Sequence, residues 1–134
     1  MENHKLVMPE HLNHNGYLFG GYLLQWVDEY AWIAATLEHP GRRFVTIAMD
    51  RVEFRRSVRQ GVILRFDSRR ARLGRTSVQY QVEVFADDPQ SGREEAIFST
   101  GVSFVCIDRQ GNKRPIIDHP GDKEKGTCND SSNQ

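Results

Sequence analysis

The feature that most constrains the fold is a long apolar segment between residues 19 and 37. Apolar side chains recur in it at steps of three and four, which is the spacing of one helix face: Phe19, Leu23, Trp26, Tyr30, Ile33 and Leu37. Most other positions are also apolar, as in a helix buried nearly all round. The breaker His39-Pro40-Gly41 ends the segment. The sequence therefore predicts a central core helix.

Two carboxylates, Asp28 and Glu29, interrupt this helix. Burying a carboxylate costs on the order of several kcal/mol unless it is hydrogen-bonded or neutralised. Together with Gln25 they also argue against a helix that spans a membrane. Glu29 points about 100° away from Asp28, and we interpret it as structural. Asp28 is either a functional acid, a satisfied core carboxylate, or part of a solvent-facing stripe.

The charge balance excludes a strong global field. The chain of 134 residues has 18 Lys plus Arg and 18 Asp plus Glu, so no global field recruits nucleic acid or an anionic membrane surface. Arginines nevertheless cluster between residues 51 and 75, where they form either a solvated strand face or a local phosphate-binding patch.

Cysteine usage and the N-terminus indicate a reduced, cytoplasmic protein without a structural metal. Cys106 lies in an apolar strand and Cys128 in a polar segment, and the chain has no zinc-ligand spacing. The first five residues include no apolar signal core.

A short edge strand is predicted before the helix, at 6–8. Four long strand patterns follow the helix, at 44–54, 62–70, 78–84 and 96–107. One long helix followed by a meander of four strands predicts an α+β domain over residues 1–117, with an antiparallel sheet wrapped around the helix. Exposed sheet edges invite dimerisation by edge pairing. Residues 118–134 are polar and are predicted to form a disordered tail.

A motif just before and within the helix carries a family resemblance. Residues 13–28 read N-x-N-G-x-L-F-G-G-x-L-L-x-x-V-D, which resembles the hotdog-fold acyl-CoA thioesterases of the bacterial short- to medium-chain type. Blocks at 45–48, 73–77 and 104–115 resemble later blocks of that family in the same order. Ser57 and Val62 depart from it, because the family commonly has proline and aspartate there.

The resemblance implies hydrolysis of acyl-CoA to fatty acid and coenzyme A. It makes Asp28 the general base on water or a nucleophile, and Asn13 the residue that orients water or the thioester oxygen. Backbone N–H groups at Gly20 and Gly21 are candidates to hold the developing oxyanion. The alternatives are that Asn13 only caps a turn and that the glycines only shape a loop.

Helix geometry predicts a site shared between two chains. Asp28 lies eight residues after Gly20, which is about 12 Å along the axis, too far for both to act on one carbonyl. The resemblance implies the same solution, with a homodimer as the minimal unit and a hexamer, a trimer of dimers, as the assembly.

Coenzyme A adds phosphates and adenine as part of the substrate, and no separate cofactor is expected. Arginine forks match phosphate geometry, and Phe19 either lines the acyl tunnel or fills core. The candidate coenzyme-side residues lie after the first long strand, in a later turn and near residue 114: Arg55, Arg56, Arg75, Thr76, Ser77 and Arg114.

Two other functions stay open on the sequence. One is a non-catalytic module of the same fold that binds acyl-CoA without hydrolysing it. The other is an enoyl-thioester dehydratase, whose chemistry usually pairs a histidine with an acid in the helix. His11 and His14 precede the helix and His39 follows it, so the dehydratase is disfavoured.

Overall fold

A computed structural model describes residues 1–117. The predicted tail at 118–134, with Cys128, lies outside the described residues. In chain order the elements are β1 (Glu2–Leu6), a short 3-10 helix (Pro9–His11), α1 (Gly20–Glu38), β2 (Arg43–Phe54), β3 (Ile63–Leu73), β4 (Ser77–Asp87) and β5 (Glu94–Ile107).

The helix α1 has nearly the predicted bounds. It begins at Gly20 and ends at Glu38, where the His39 N–H donates to the Ala35 carbonyl and Pro40-Gly41 prevents continuation. One face is buried, formed by Leu23, Trp26, Val27, Ala31, Ala34 and Ala35. The two ends of the predicted stripe, Phe19 and Leu37, are 53% and 63% exposed. In a single chain the helix is therefore covered on one side only, because one sheet has only one face to offer it.

The five strands form one antiparallel sheet in the order β1-β3-β4-β5-β2. The predicted meander of four strands is wrong in one respect: β3, β4 and β5 are consecutive neighbours, but β2 pairs with β5 at the far edge. The space beside β3 is taken by β1, which runs from Glu2 to Leu6 rather than over 6–8. A single helix packed on one antiparallel sheet confirms the α+β prediction.

Alternation along the strands builds the core. The inward positions of the three central strands are buried against α1 and one another: Leu64, Phe66, Val78, Tyr80, Val82, Val84, Phe98, Val102 and Phe104. The outward positions of β3 and β4, such as Arg65, Gln79 and Gln81, are half-buried and polar. This confirms the predicted half-buried antiparallel strands.

Arg65 ties three strands together on the outer sheet face. Its guanidinium makes two hydrogen bonds to Glu94, of 2.9 and 2.7 Å, and one of 2.9 Å to Glu2. It also lies 4.2 Å from the centre of the Phe85 ring. The hydrogen bonds to Glu94 raise the pKa of Arg65 and lower the pKa of Glu94. Edge strand β1 and the start of β5 are thus fixed to β3.

Replacing Arg65 by methionine is expected to lower the free energy of unfolding by about 1 kcal/mol, since both carboxylates are partly exposed and screened. Because Glu94 has a lowered pKa in the folded state, its contribution is present near neutral pH and fades as the pH falls through that pKa. Urea unfolding at neutral and acidic pH measures this. The matched variant Arg72→Met, on the exposed part of the same strand, should be nearly neutral. An equal loss of unfolding free energy in both variants would contradict a specific stabilising role for the Arg65 hydrogen bonds.

Candidate active site

Asn13 begins the loop that leads into α1. Its side-chain Oδ1 accepts the N–H groups of Asn15 at 2.9 Å and of Tyr17 at 3.2 Å. Gly16 has a φ of +83°, which confirms the Asn15-Gly16 turn. Among residues 1–117, nothing accepts a hydrogen bond from the Asn13 Nδ2 group. The oxygen thus serves the turn, while the amide donor is available to a ligand.

The start of α1 presents bare backbone. Phe19, at the N-cap, gives no side-chain hydrogen bond, and the first turn has no acidic residue. The N–H groups of Gly20 and Gly21 have no acceptor within the described part of the chain. A Cβ on Gly20 would lie 3.1 Å from the Phe54 ring, and one on Gly21 would lie 2.6 Å from the Phe19 ring. The two glycines therefore let aromatic rings close on the helix start, where partial positive charge collects.

Asp28 is half-buried on α1 and has a partner that the sequence did not identify. The Thr46 hydroxyl donates to its Oδ1 at 2.6 Å. Thr46 lies on β2 just before a register shift that leaves Ile47 unpaired. The only signal in the sequence was its place in the block 45–48. The neighbouring Glu29 is exposed.

A single chain brings some of the predicted catalytic residues together and separates Asp28 from them. An open groove of about 650 Å³ is lined by Asn13, Phe19 and Gly21, together with Leu12, Tyr22 and others. Asp28 does not line this groove. Since Gly20 and Asp28 belong to the same helix, they are about 12 Å apart. One chain therefore holds the carboxylate and the backbone donors at separate places.

Arg56 lies in a second groove at the same end of the molecule as Asn13. This groove of about 500 Å³ also contains Arg59 and Glu95, and Arg56 makes a 2.7 Å ion pair with Glu95. It borders the Asn13 loop, because the Leu18 N–H donates to the Val58 carbonyl at 2.7 Å. Arg55 follows β2 directly, and its N–H donates to the Ile97 carbonyl at 2.9 Å.

The remaining predicted coenzyme-side residues lie at the opposite end of the sheet. The Arg75 carbonyl accepts the Ile116 N–H at 2.9 Å, and the Thr76 carbonyl accepts the Cys106 N–H at 2.7 Å. The Arg114 N–H donates to the Cys106 carbonyl at 2.9 Å, and Ser77 begins β4 in the same region. The 11 residues of β3 separate this end from the Arg56 groove, a distance of about 35 Å. One chain does not gather all of these groups around one coenzyme.

In the region from Met1 to Ile117, no group of three or more His, Cys, Asp or Glu residues is arranged to hold a metal ion. No helix of that region is long and apolar enough to cross a bilayer.

Comparison with known proteins gives consistent matches. The profile of the thioesterase superfamily matches residues 15–92. The chain is 30% identical over 110 residues to the acyl-CoA thioester hydrolase YkhA of Bacillus subtilis, covering 82% of this chain and 63% of that protein. It is 36% identical over 110 residues to the acyl-CoA thioester hydrolase ZMO0511 of Zymomonas mobilis, covering 82% and 72%.

A solved structure agrees. Cj0915, a hexameric hotdog fold thioesterase of Campylobacter jejuni, superposes with a TM-score of 0.74 at 36% identity, over 86% of this chain and 88% of that one. The chain therefore has the hotdog fold, as the resemblance in its sequence implied. It spans less than two thirds of the Bacillus relative.

Proposed function

Because the chain belongs to the thioesterase superfamily, we propose that it hydrolyses acyl-CoA thioesters to a free acid and coenzyme A. The observation that carries this proposal is Asp28, a half-buried carboxylate in an apolar helix, oriented by the Thr46 hydroxyl at 2.6 Å. It lies within the residues matched by the family profile, and relatives at 30% identity or more are named acyl-CoA thioester hydrolases.

Asp28 supplies the basic group of the reaction. Thr46 occupies Oδ1, which leaves Oδ2 to take a proton from water as the water oxygen attacks the thioester carbon. The tetrahedral intermediate then expels the coenzyme thiolate, and the proton passes to sulfur. In the alternative route Oδ2 itself attacks the thioester carbon and the coenzyme A thiolate leaves. Water then hydrolyses the resulting mixed anhydride, which restores the Asp28 carboxylate and supplies the proton that sulfur takes up. Both routes need only water as co-reactant, so no cofactor is required.

The donors for the oxyanion are the Gly20 and Gly21 N–H groups and the Asn13 Nδ2 group. All three lack an acceptor within residues 1–117; Asn13 and Gly21 line one groove, and Gly20 immediately precedes Gly21 in α1. The start of a helix adds partial positive charge where the thioester oxygen becomes negative.

A homodimer brings the Asp28 carboxylate of one chain to the oxyanion donors of the other. The helix runs antiparallel to β2, so that Gly20 lies against Phe54 while, further along, Trp32 Nε1 donates to the Phe44 carbonyl at 3.1 Å. Antiparallel pairing of β2 with the same strand of a second copy reverses this order. The Thr46 end of one chain then faces the Phe54 end of the other. Asp28 thereby approaches the glycine turn of the partner.

The exposed edge of β2 supports this dimer. Its side chains Val45, Ile47 and Val52 are 41%, 59% and 41% exposed, and one strand edge of its 12 residues is unpaired within the described chain. Long apolar edges of this kind are normally covered. A hexamer, as a trimer of dimers, is proposed as the full assembly because the similar Cj0915 is hexameric.

Substrate contacts follow from the same dimer. Arg56 lines the groove that borders the Asn13 loop, and Arg55 precedes it in the chain. Guanidinium forks would bind the coenzyme phosphates there. The partner would supply the remaining coenzyme contacts, because antiparallel pairing places opposite ends of the two sheets together. These contacts are Arg75, Thr76, Ser77 and Arg114. Phe19, exposed in the groove, would line the acyl chain. A cytoplasmic location stays a prediction from the sequence.

The experiment that tests the proposed function follows thiol release. Purified protein mixed with acyl-CoA of two to sixteen carbons and a thiol-reactive dye should release coenzyme A for at least one chain length. Binding of acyl-CoA in a calorimeter without any thiol release would favour the non-catalytic module instead.

Removing the Thr46 hydroxyl should weaken turnover. Thr46→Val leaves Asp28 without its donor, and a hydrogen bond to a charged group is worth about 1.5–3 kcal/mol, so kcat should fall about tenfold or more. Thr46→Ser keeps the hydroxyl and should retain most of the activity. Steady-state kinetics of the two variants measures the difference in kcat. Equal kcat for the valine and serine variants would show that the hydroxyl does not orient Asp28.

A further inference from the structure

The middle of β2 contains a strained irregularity. Asp50 pairs with Gly101 and Glu53 with Ser99, so that Arg51 and Val52 together lie opposite Thr100. Two residues against one is a β-bulge, which bends a strand and increases its twist. Arg51 has a φ of 49°, and among residues 1–117 no other non-glycine residue has a positive φ. Such a conformation persists only when surrounding groups hold it.

Four residues from three strands hold this bulge, and we call them the Asp50 clamp: Asp50, Gln79, Thr100 and Gly101. The Gly101 N–H donates to Asp50 Oδ1 at 2.7 Å, and Gln79 Nε2 donates to Oδ2 at 3.3 Å. The buried Thr100 hydroxyl donates to the main-chain carbonyl of Asp50. The carboxylate thus replaces a ladder partner that the bulge removes.

A side chain at residue 101 would displace two groups of the clamp. A Cβ on Gly101 would lie 2.7 Å from Asp50 Oδ1 and 2.9 Å from Gln79 Nε2. Real Cβ atoms essentially never approach so closely. An added Cβ would therefore push the carboxylate and the amide out of their hydrogen bonds, which makes the glycine part of the clamp.

The bulge lies between the two parts of β2 that contact the candidate site. Before it, Thr46 donates to Asp28; after it, Phe54 packs on Gly20. The same strand carries the unpaired sheet edge. A bend at this point therefore decides which residues of two copies face each other when their edges pair.

We propose that the Asp50 clamp fixes the register in which β2 pairs with β2 of a second copy, and so acts as a positioning device for the shared site. This inference rests on the proposed function, in which the partner supplies the glycine turn. Asp50 itself touches no substrate. Its effect passes through the strand that carries Thr46.

The test compares variants of Asp50 in the full-length protein. Asp50→Ala removes both acceptors and should lower kcat about tenfold or more through misplacement of the reacting groups, with a smaller change in KM. Asp50→Asn keeps Oδ1 for the Gly101 N–H and should stay within about threefold of wild type. Glu83→Ala removes an exposed carboxylate of β4 and should leave kcat unchanged.

A double variant separates positioning from general loss of stability. Glycine adopts the left-handed conformation freely, so adding Arg51→Gly to Asp50→Ala should recover much of the lost kcat. A role confined to stability would change the melting temperature but not kcat measured well below it. Wild-type kcat in Asp50→Ala would overturn the proposal. If Asp50→Ala does not fold, Gly101→Ala carries the same test, and wild-type kcat in that variant would overturn the proposal equally.

Molar mass by light scattering gives a readout that does not depend on turnover. A smaller mass for Asp50→Ala that Asp50→Asn restores supports the clamp as a determinant of pairing. Should the wild-type protein release no thiol from any acyl-CoA, the proposed function fails, and the mass comparison alone then decides the role of the clamp, since an unchanged mass for Asp50→Ala would contradict it. In an active protein, wild-type kcat in Asp50→Ala contradicts the role whatever the mass.

Discussion

Asp28→Asn is expected to lower turnover by at least about two orders of magnitude, which is typical for loss of a positioned base. Asparagine has the same shape and can still accept the hydrogen bond from Thr46, so the change removes the charge and the proton acceptor without opening a cavity. KM should change much less, because other side chains line the grooves proposed to bind the acyl chain and the coenzyme. Initial rates over a range of acyl-CoA concentrations measure both constants.

The matched control is Glu29→Gln, which removes the adjacent carboxylate. Glu29 is exposed and points about 100° away round the helix, so its loss should leave kcat near wild type. Circular dichroism and molar mass should be unchanged in both variants. A folded, oligomeric Asp28→Asn protein with wild-type turnover would remove Asp28 from the chemistry.

The local structure was largely predictable from the sequence. The bounds of α1, Gly20 and Glu38, follow from the glycine pair and from His39-Pro40-Gly41, which are short-range signals. The alternation in β3 and β4 likewise identifies the buried side of each strand, because side chains point to opposite faces with a period of two. These features depend only on residues close together in the chain.

Strand order was not predictable in the same way. Nothing in the composition of β2 distinguishes pairing with β3 from pairing with β5, since both would bury the same inward side chains. The choice depends on β1, which occupies the edge of β3 through residues 2–6. Pairs of residues about sixty positions apart in the sequence decide it, and a periodicity in one segment does not report them.

In the candidate site, too, only the features that depend on local geometry were predictable from the sequence. The separation of Asp28 from Gly20 follows from helical rise and holds in the structure. Thr46 was missed as a partner because its hydroxyl reaches Asp28 only through the packing of β2 beside α1. The separation of Arg56 from Arg75 was missed for a similar reason, since it depends on the direction of β3. The catalytic roles of Asp28 and Asn13 stay predictions.

The second large effect is recovery of activity when two inactive variants share an oligomer. Asn13→Asp is the matched partner for Asp28→Asn, because it keeps the oxygen that accepts the Asn15 and Tyr17 N–H groups while removing the Nδ2 donor. Each variant alone should be nearly inactive. In a hybrid dimer one of the two sites combines an intact Asp28 from one chain with an intact Asn13 from the other.

Refolding an equal mixture of the two variants makes about half of the dimers hybrids, so about a quarter of wild-type activity should return. Each variant refolded alone is the control and should stay inactive. This mixing measurement tests the shared site most directly. A return of activity well above the sum of the two controls is the result expected if Asp28 of one chain works with the glycine turn of its partner. Activity no greater than that sum, from mixtures in which hybrid dimers are shown to form, would contradict it.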